Sequence, residues 1–176
     1  MACVVRVLLN DEHTREVIGQ IVAGCRHRLF IATADVKDLH VPDGPRARSI
    51  VDLFGDLGAR GVEVRLLHAG VPSSAFLAEL KRRFPPGLIM RRCPRVHVKA
   101  VIADGRAMYL GSANLTGAGL GAKSPRRRNF EAGVRTDDVA LIDPVLDMLD
   151  AVWTGRRCPD CGRREQCPVP LEEPDL

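Results

Sequence analysis

Aromatic side chains are scarce in this chain of 176 residues: five Phe, one Tyr and one Trp, 4% of the total. So little π surface offers few platforms for stacking bases, and tight single-strand binding is not expected. Long apolar runs are missing too; none approaches the roughly 20 residues that a membrane-spanning helix needs. Nor is there an amphipathic membrane-binding helix or an apolar anchor. Lysine is rare beside arginine. Arginine makes planar, two-pronged contacts with phosphate, but a GC-rich genome also produces this bias, and that plainer account serves for most of these residues. The formal net charge is only +4, so charge placement rather than total charge must point to a partner. The start of the chain, Met1 to Leu9, is interrupted by Arg6 and followed by Asn10, Asp11 and Glu12. It lacks the basic region and cleavage site of a signal peptide and reads as a first strand. A cytoplasmic protein is expected, with cysteines reduced or metal-bound rather than paired.

Hydrophobic residues make up 45% and charged residues 27%, the balance of a globular domain. Residues 3–9 read as a strand. Val17, Ile18, Ile21, Val22 and Cys25 recur at helical spacing. Strands are expected at 29–34 and 62–67, with a Pro/Gly loop around 42–45 and an amphipathic helix carrying Ile50, Val51, Phe54 and Leu57 between them. Ser73 or Ser74 can cap a third helix. Strands then crowd together at about 88–92, 96–103, 107–111 and 131–135, and a last helix runs to about Trp153, with Asp143-Pro144 starting or kinking it. This order predicts an α/β fold, a mixed sheet flanked by helices, as a single domain over 1–155. Residues 156–170 form a Cys-, Arg- and Pro-rich appendage, and 171–176 a short acidic tail expected to be disordered.

Chemistry concentrates in one stretch: His97-Val-Lys99, then Asp104, then Gly111-Ser112-Ala-Asn114. Side chains two apart on a strand share a face, so His97 and Lys99 point one way while Val96, Val98 and Ala100 point the other. A histidine beside a lysine supplies a nucleophile or acid together with a fixed positive charge, the needs of a phosphate site. Ser112 and Asn114 repeat the two-residue spacing after Gly111, where backbone can approach a ligand closely. Glu131 can accept a hydrogen bond from the non-reacting ring nitrogen of His97 and so set its tautomer. Taken singly, a histidine is more often a core residue and a Gly-Ser pair a turn. Together, His-x-Lys-x4-Asp followed by Gly-Ser-x-Asn is a specific pattern.

With Glu131 in Asn129-Phe130-Glu131, this pattern resembles the phospholipase D superfamily. The resemblance implies a mixed sheet flanked by helices and a phosphodiesterase that needs no catalytic metal. The family joins two such motifs at one site, and this chain has one. It therefore resembles the short single-motif nucleases, whose site forms across a homodimer axis. The resemblance implies that one subunit's His97 attacks phosphorus and that its partner's His97 protonates the leaving oxygen. Lys99, Ser112 and Asn114 bind the non-bridging oxygens. Asp104 belongs to the signature and is expected to support structure or dimerisation rather than to react.

The motif does not choose among DNA, RNA and phospholipid. Arg91, Arg92 and Arg95 precede His97, and Arg126, Arg127 and Arg128 precede Glu131. A basic groove around the site favours nucleic acid, whose backbone charge drives binding. A cationic rim also suits anionic lipid head groups, and a solvated charged face is the common fate of such runs. Nuclease action leads, with phospholipid hydrolysis and non-catalytic nucleic-acid binding as alternatives.

The second cluster is Cys158-Pro-Asp-Cys161, followed by Cys167-Pro, spaced C-x2-C-x5-C. Three thiols so close together in a cytoplasmic protein point to metal. Cys158-Pro-Asp-Cys161-Gly looks like a zinc knuckle. With one distant upstream cysteine, the spacing also resembles an iron–sulfur staple, and Cys–Pro steps suit cluster ligands. A structural 4Fe-4S cluster is placed ahead of zinc. Cys93 is the first choice for the fourth ligand, with Cys25 and Cys3 behind it.

Overall fold

The computed structural model describes residues 3–174. Strand β1 (Val5–Leu9) leads into a helix wound as a π-helix (Thr14–Val22), then β2 (Arg28–Thr33) and the hairpin strands β3 (His40–Asp43) and β4 (Arg46–Ser49). Helix α1 (Ile50–Ala59), β5 (Glu63–His68), α2 (Ser74–Arg82) and β6 (Leu88–Arg92) follow. Three strands come next, β7 (Lys99–Ala103), β8 (Ala107–Gly111) and β9 (Ala132–Thr136), before helix α3 (Val139–Trp153).

Side-chain oxygens at Ser49, Ser73 and Asp138 accept the N–H groups of Val51, Phe76 and Ala140 and fix the starts of α1, α2 and α3. Asp138, not Pro144, therefore begins the last helix; Pro144 lies inside it. The first helix keeps the expected apolar set, with Val17, Ile18, Ile21 and Val22 buried, although its turns are wider than α. Residues 42–45, expected as a loop, instead close the β3–β4 hairpin, with Gly44 at φ +59° in its turn.

Seven strands form one sheet in the order β1-β9-β8-β7-β2-β5-β6. The β2–β5–β6 segment is parallel and the remaining pairings are antiparallel, so the sheet is mixed, as expected. Alternation along the strands divides the core. Leu29 and Ile31 of β2 and Val101 and Ala103 of β7 join the layer under the π-helix, α1 and α2. Phe30, Ala32, Ala100 and Ile102 face α3, packing with Ile142, Leu149 and Trp153. Burying Phe30, Phe54 and Phe76 contributes about 1.5–3 kcal/mol apiece. On the free edge Val5, Val7 and Leu9 stay exposed while Leu8 is buried.

Beyond α3 the chain turns back across the α3 side of the sheet. Leu171 packs against the second core layer, the Arg92 N–H donates to the Glu172 carbonyl over 2.9 Å, and the Arg92 guanidinium pairs with the Glu172 carboxylate. This part of the expected disordered tail is thus held in place, because an apolar contact and a charge pair both anchor it. Asp175 and Leu176 lie outside the described residues.

Candidate active site

The residues singled out by spacing collect at one end of the sheet. Lys99 opens β7, and its register partner Gly111 closes β8, so Ser112 emerges beside it. Glu131 immediately precedes β9, whose Gly133 pairs with Gly111. His97 belongs to an irregular coil, residues 93–98, with a turn at Pro94-Arg95, before β7 rather than to the strand itself. The face assignment nevertheless holds: Val96, Val98 and Ala100 all pack on the α3 side. His97 is exposed and Lys99 partly so. The Lys99 Nζ lies 3.3 Å from His97 Nδ1, 3.4 Å from Nε2 and 2.8 Å from the His97 carbonyl oxygen. One ammonium therefore borders both ring nitrogens of His97.

Ser112 Oγ donates to the Glu131 carboxylate and accepts the Ala132 N–H over 3.1 Å. Asn129 Nδ2 donates to the other Glu131 oxygen over 3.0 Å. The expected Glu131–His97 hydrogen bond is not formed among the described residues, because Ser112 and Asn129 reach the carboxylate from their own adjoining segments. Asn114 Oδ1 accepts the Ala34 and Asp35 N–H groups, each over 3.2 Å, and lies 3.2 Å from Thr33 Oγ1. Its carbonyl end is thus engaged, which leaves the amide –NH2 as the end able to donate to a phosphoryl oxygen.

Sequence reasoning missed four residues that position this end of the sheet. Tyr109 is fully buried, and its hydroxyl accepts the Ala113 N–H over 3.1 Å, propping the Ser112–Asn114 loop from below. Burial pushes its phenol up to about 12. A Cβ on Gly133 would come within 2.3 Å of the Tyr109 ring, so glycine is required where the strands pass over it. Asn10, at φ +49°, donates its N–H to the Glu131 carbonyl and accepts the Glu131 N–H, gripping both backbone groups of that residue. Thr33 closes β2 beside Asn114 and accepts the Leu115 N–H over 3.1 Å. The only trace of these in the sequence is residue type at strand ends, where Asn and Thr commonly satisfy backbone groups.

Asp104 is placed elsewhere. It lies beyond the far end of β7, five residues from Lys99, which at about 3.3 Å per residue is roughly 16 Å away along the strand. Its carboxylate accepts the N–H groups of Arg26, His27 and Arg28 over 2.8–2.9 Å and the Cys25 thiol over 3.4 Å. Asp104 is therefore engaged with the turn before β2, at the opposite end of β7 from Lys99. Burial opposes its ionisation, but those three backbone N–H bonds outweigh it and hold the carboxyl below its ordinary value. Asp104→Ala is expected to lower unfolding stability by about 2 kcal/mol, less than the sum of three charged hydrogen bonds because water can reach the freed N–H groups. A carboxyl depressed in the folded state stabilises at pH values above its unfolded value. The difference between wild type and variant should therefore hold at neutral pH and shrink as pH falls through about 4. Denaturant unfolding at both pH values measures this.

The six expected arginines divide. Arg91 lies over the Trp153 ring, 4.7 Å from its centroid, and donates to the Trp153 carbonyl. Arg92 is occupied by Glu172 and by the Ala69 carbonyl. These two hold structure, because each lies where a carbonyl or carboxylate is within reach. Arg128 pairs with Asp11 at 3.3 Å. Arg95, Arg126 and Arg127 are exposed, and Arg126 and Arg127 form no ion pair among the described residues.

Cys93, Cys158, Cys161 and Cys167 all line one cavity of about 630 Å3 that His97 also borders. Among the described residues, no group of three or more His, Cys, Asp or Glu side chains is arranged to hold a metal ion. Neither the iron–sulfur expectation nor the zinc-knuckle one is shown by this arrangement; a zinc ion in particular, with Zn–S bonds of about 2.3 Å, needs its sulfurs drawn tightly together. A backbone N–H from Arg163 and the Arg95 guanidinium, 3.5 Å away, lower the Cys161 thiol below its ordinary value. Cys25, by contrast, is buried beside Asp104 and pushed up to about 11 by burial and that neighbouring carboxylate.

No helix among the described residues is long and apolar enough to cross a membrane. No curated protein matches the sequence. Among solved structures, the chain is similar to NucT from Helicobacter pylori, with a TM-score of 0.61 at 14% identity, covering 84% of this chain and 93% of that one. It is similar to Nuc, a phospholipase D family member from Salmonella typhimurium, with a TM-score of 0.61 at 19% identity over 87% and 95% of the two chains. It also resembles TrmBL2, an archaeal chromatin protein whose structure shows a novel mode of DNA binding, with a TM-score of 0.53 at 15% identity over 85% of this chain and 52% of that one. These likenesses concern the fold. The family model for the cardiolipin synthase, PLD-like domain matches residues 18–153, most of the chain and all of the His97–Glu131 cluster, and the chain therefore belongs to the phospholipase D-like superfamily.

Proposed function

We propose that this chain is a phosphodiesterase that cleaves nucleic-acid backbones, with His97 as nucleophile and a second copy of the chain completing the site. The observation that carries the reading is the exposed His97 ring with the Lys99 ammonium 3.3 Å and 3.4 Å from its two nitrogens, at the sheet end where Ser112, Asn114 and Glu131 also gather.

The steps follow from what one chain contains. A His97 nitrogen attacks phosphorus, forming an N–P bond as the bond to the leaving oxygen breaks. That oxygen needs a proton, and a single His97 cannot be nucleophile and acid at once. A twofold axis brings the partner's His97, which donates the proton. Water then attacks phosphorus and gives a proton back to the partner's His97. The N–P bond breaks, leaving a phosphomonoester end and restoring both imidazoles. Lys99, Ser112 and the Asn114 amide offset charge on the non-bridging oxygens. Glu131 orients Ser112. The exposed stripe of Val5, Val7 and Leu9 runs up to the Leu9–Ala132 pair beside Glu131, and Phe130 is 97% exposed, so apolar surface for a second copy lies next to the site.

Arg126 and Arg127, exposed and without ion pairs among the described residues, favour a polyanion over a lone headgroup, because adjacent free cations suit a ligand with repeated phosphates. The test is a panel of DNA, RNA and cardiolipin vesicles with and without EDTA. Chelator-resistant cleavage of DNA or RNA, but not lipid, supports the reading. Turnover of lipid alone would replace it with phospholipid hydrolysis, and specific binding without any turnover would replace it with a binding module. Affinity for the nucleic acid should also fall with salt, and Arg126→Ala with Arg127→Ala should flatten the slope of log K against log[salt] by about 1–2. Titrations at several salt concentrations read this.

A further inference from the structure

The nuclease reading leaves the cysteines unused. Six cysteines are free, and four of them, Cys93, Cys158, Cys161 and Cys167, meet at one cavity although Cys93 is far from the others in sequence. Each of the four is partly buried. The two left over are accounted for differently: Cys25 lies at the opposite end of β7 bonded to Asp104, and Cys3 is exposed before β1 on the free edge. The fold thus separates the four from the two without reference to spacing.

The cavity's shape and charge restrict its contents. Val96, Leu149 and Val152 give it an apolar wall, whereas Arg95, Arg156, Arg157, Arg163 and Arg164 ring it with positive charge. Four thiolates there would carry more negative charge than one dication cancels, and the arginines offset the remainder. The cavity of about 630 Å3 that the thiols line has room for more than one ion, and the absence among the described residues of any trio arranged for one ion disfavours a compact single-ion site. A cubane of iron and sulfide spaces its four cysteine ligands more widely than a single ion does.

We infer that Cys93, Cys158, Cys161 and Cys167 hold a four-iron, four-sulfide cluster that fastens the C-terminal appendage to the coil carrying His97. Cys93 begins that coil, and its N–H donates to the His68 carbonyl over 2.8 Å. Residues 93–98 form no ladder of their own. A covalent tie at Cys93 therefore restrains the coil four residues before the nucleophile. With four thiolate ligands the centre is closed to substrate, so its role is to position and not to react.

The full-length protein, purified without oxygen, should contain about four iron and four acid-labile sulfide per chain and should absorb visible light that dithionite bleaches. Cys161→Ser, in the exposed appendage, and Cys93→Ser should each lose at least half the iron, while Cys3→Ser keeps all of it. Should Cys93→Ser fail to fold, the wild-type iron content and Cys161→Ser still decide. One zinc per chain without iron, no metal at all, or full iron in Cys161→Ser would each overturn the assignment. Iron and sulfide content are independent of phosphodiester turnover, so this inference and the nuclease reading fail separately.

Discussion

His97→Ala should lower phosphodiester turnover by about 10⁴-fold or more while leaving the unfolding midpoint nearly unchanged. The stability half of this expectation rests on exposure: the ring is solvent-facing and is hydrogen-bonded only by the Lys99 ammonium among the described residues, so its loss opens no cavity. The activity half rests on symmetry. In a twofold assembly one substitution removes the nucleophile from one side and the proton donor from the other. Mixing gives a sharper result. If wild-type and His97→Ala subunits are mixed in equal amounts and allowed to exchange, activity per wild-type subunit should fall to about one half, because only wild-type pairs retain both imidazoles. Unchanged activity per wild-type subunit after verified exchange would mean that one chain suffices and would end the shared-site mechanism. Full activity in the pure variant would end the proposal for His97 itself.

Lys99→Met should lower kcat by about 10²–10³-fold with a smaller change in KM. Methionine preserves most of the apolar stem at the first position of β7, so packing against the strand survives. What disappears is the ammonium. In the free protein it donates to the His97 carbonyl over 2.8 Å and lies near both ring nitrogens, poised between the backbone and the place where a phosphoryl group would bind. Charge on the non-bridging oxygens grows toward the transition state, so the loss should appear mainly in kcat. A variant that raised KM and left kcat intact would recast Lys99 as a general phosphate anchor. Rapid-quench measurement of the covalent step separates the two outcomes.

The arginine runs show how a pattern can be right about composition and wrong about use. Arg91, Arg92 and Arg95 are near neighbours in sequence, yet one caps the Trp153 carbonyl, one pairs with Glu172, and one reaches the Cys161 sulfur. Their fates depend on partners some 60 to 80 residues away, which no local window contains. The expected Glu131–His97 bond failed for a similar reason. Glu131 is held by Ser112, Asn129 and the backbone grip of Asn10, contacts set by how β1, β8 and β9 are aligned.

By itself the sequence determined the order of the elements apart from the β3–β4 hairpin, because period-2 and helical apolar spacings mark which faces must be buried. It also determined that His97 and Lys99 share a side, since Val96, Val98 and Ala100 have to face the core. The rest was decided by tertiary structure. Register between β7, β8 and β9 places Gly111 opposite Lys99 and Gly133 opposite Gly111, which brings Ser112 and Glu131 to the same sheet end and sends Asp104 to the other. The return of the chain across α3 places Cys158, Cys161 and Cys167 on the cavity of Cys93. Spacing along a chain governs direction from the backbone, whereas proximity between distant segments is set by strand pairing and core packing, and the chemistry of this site depends on both.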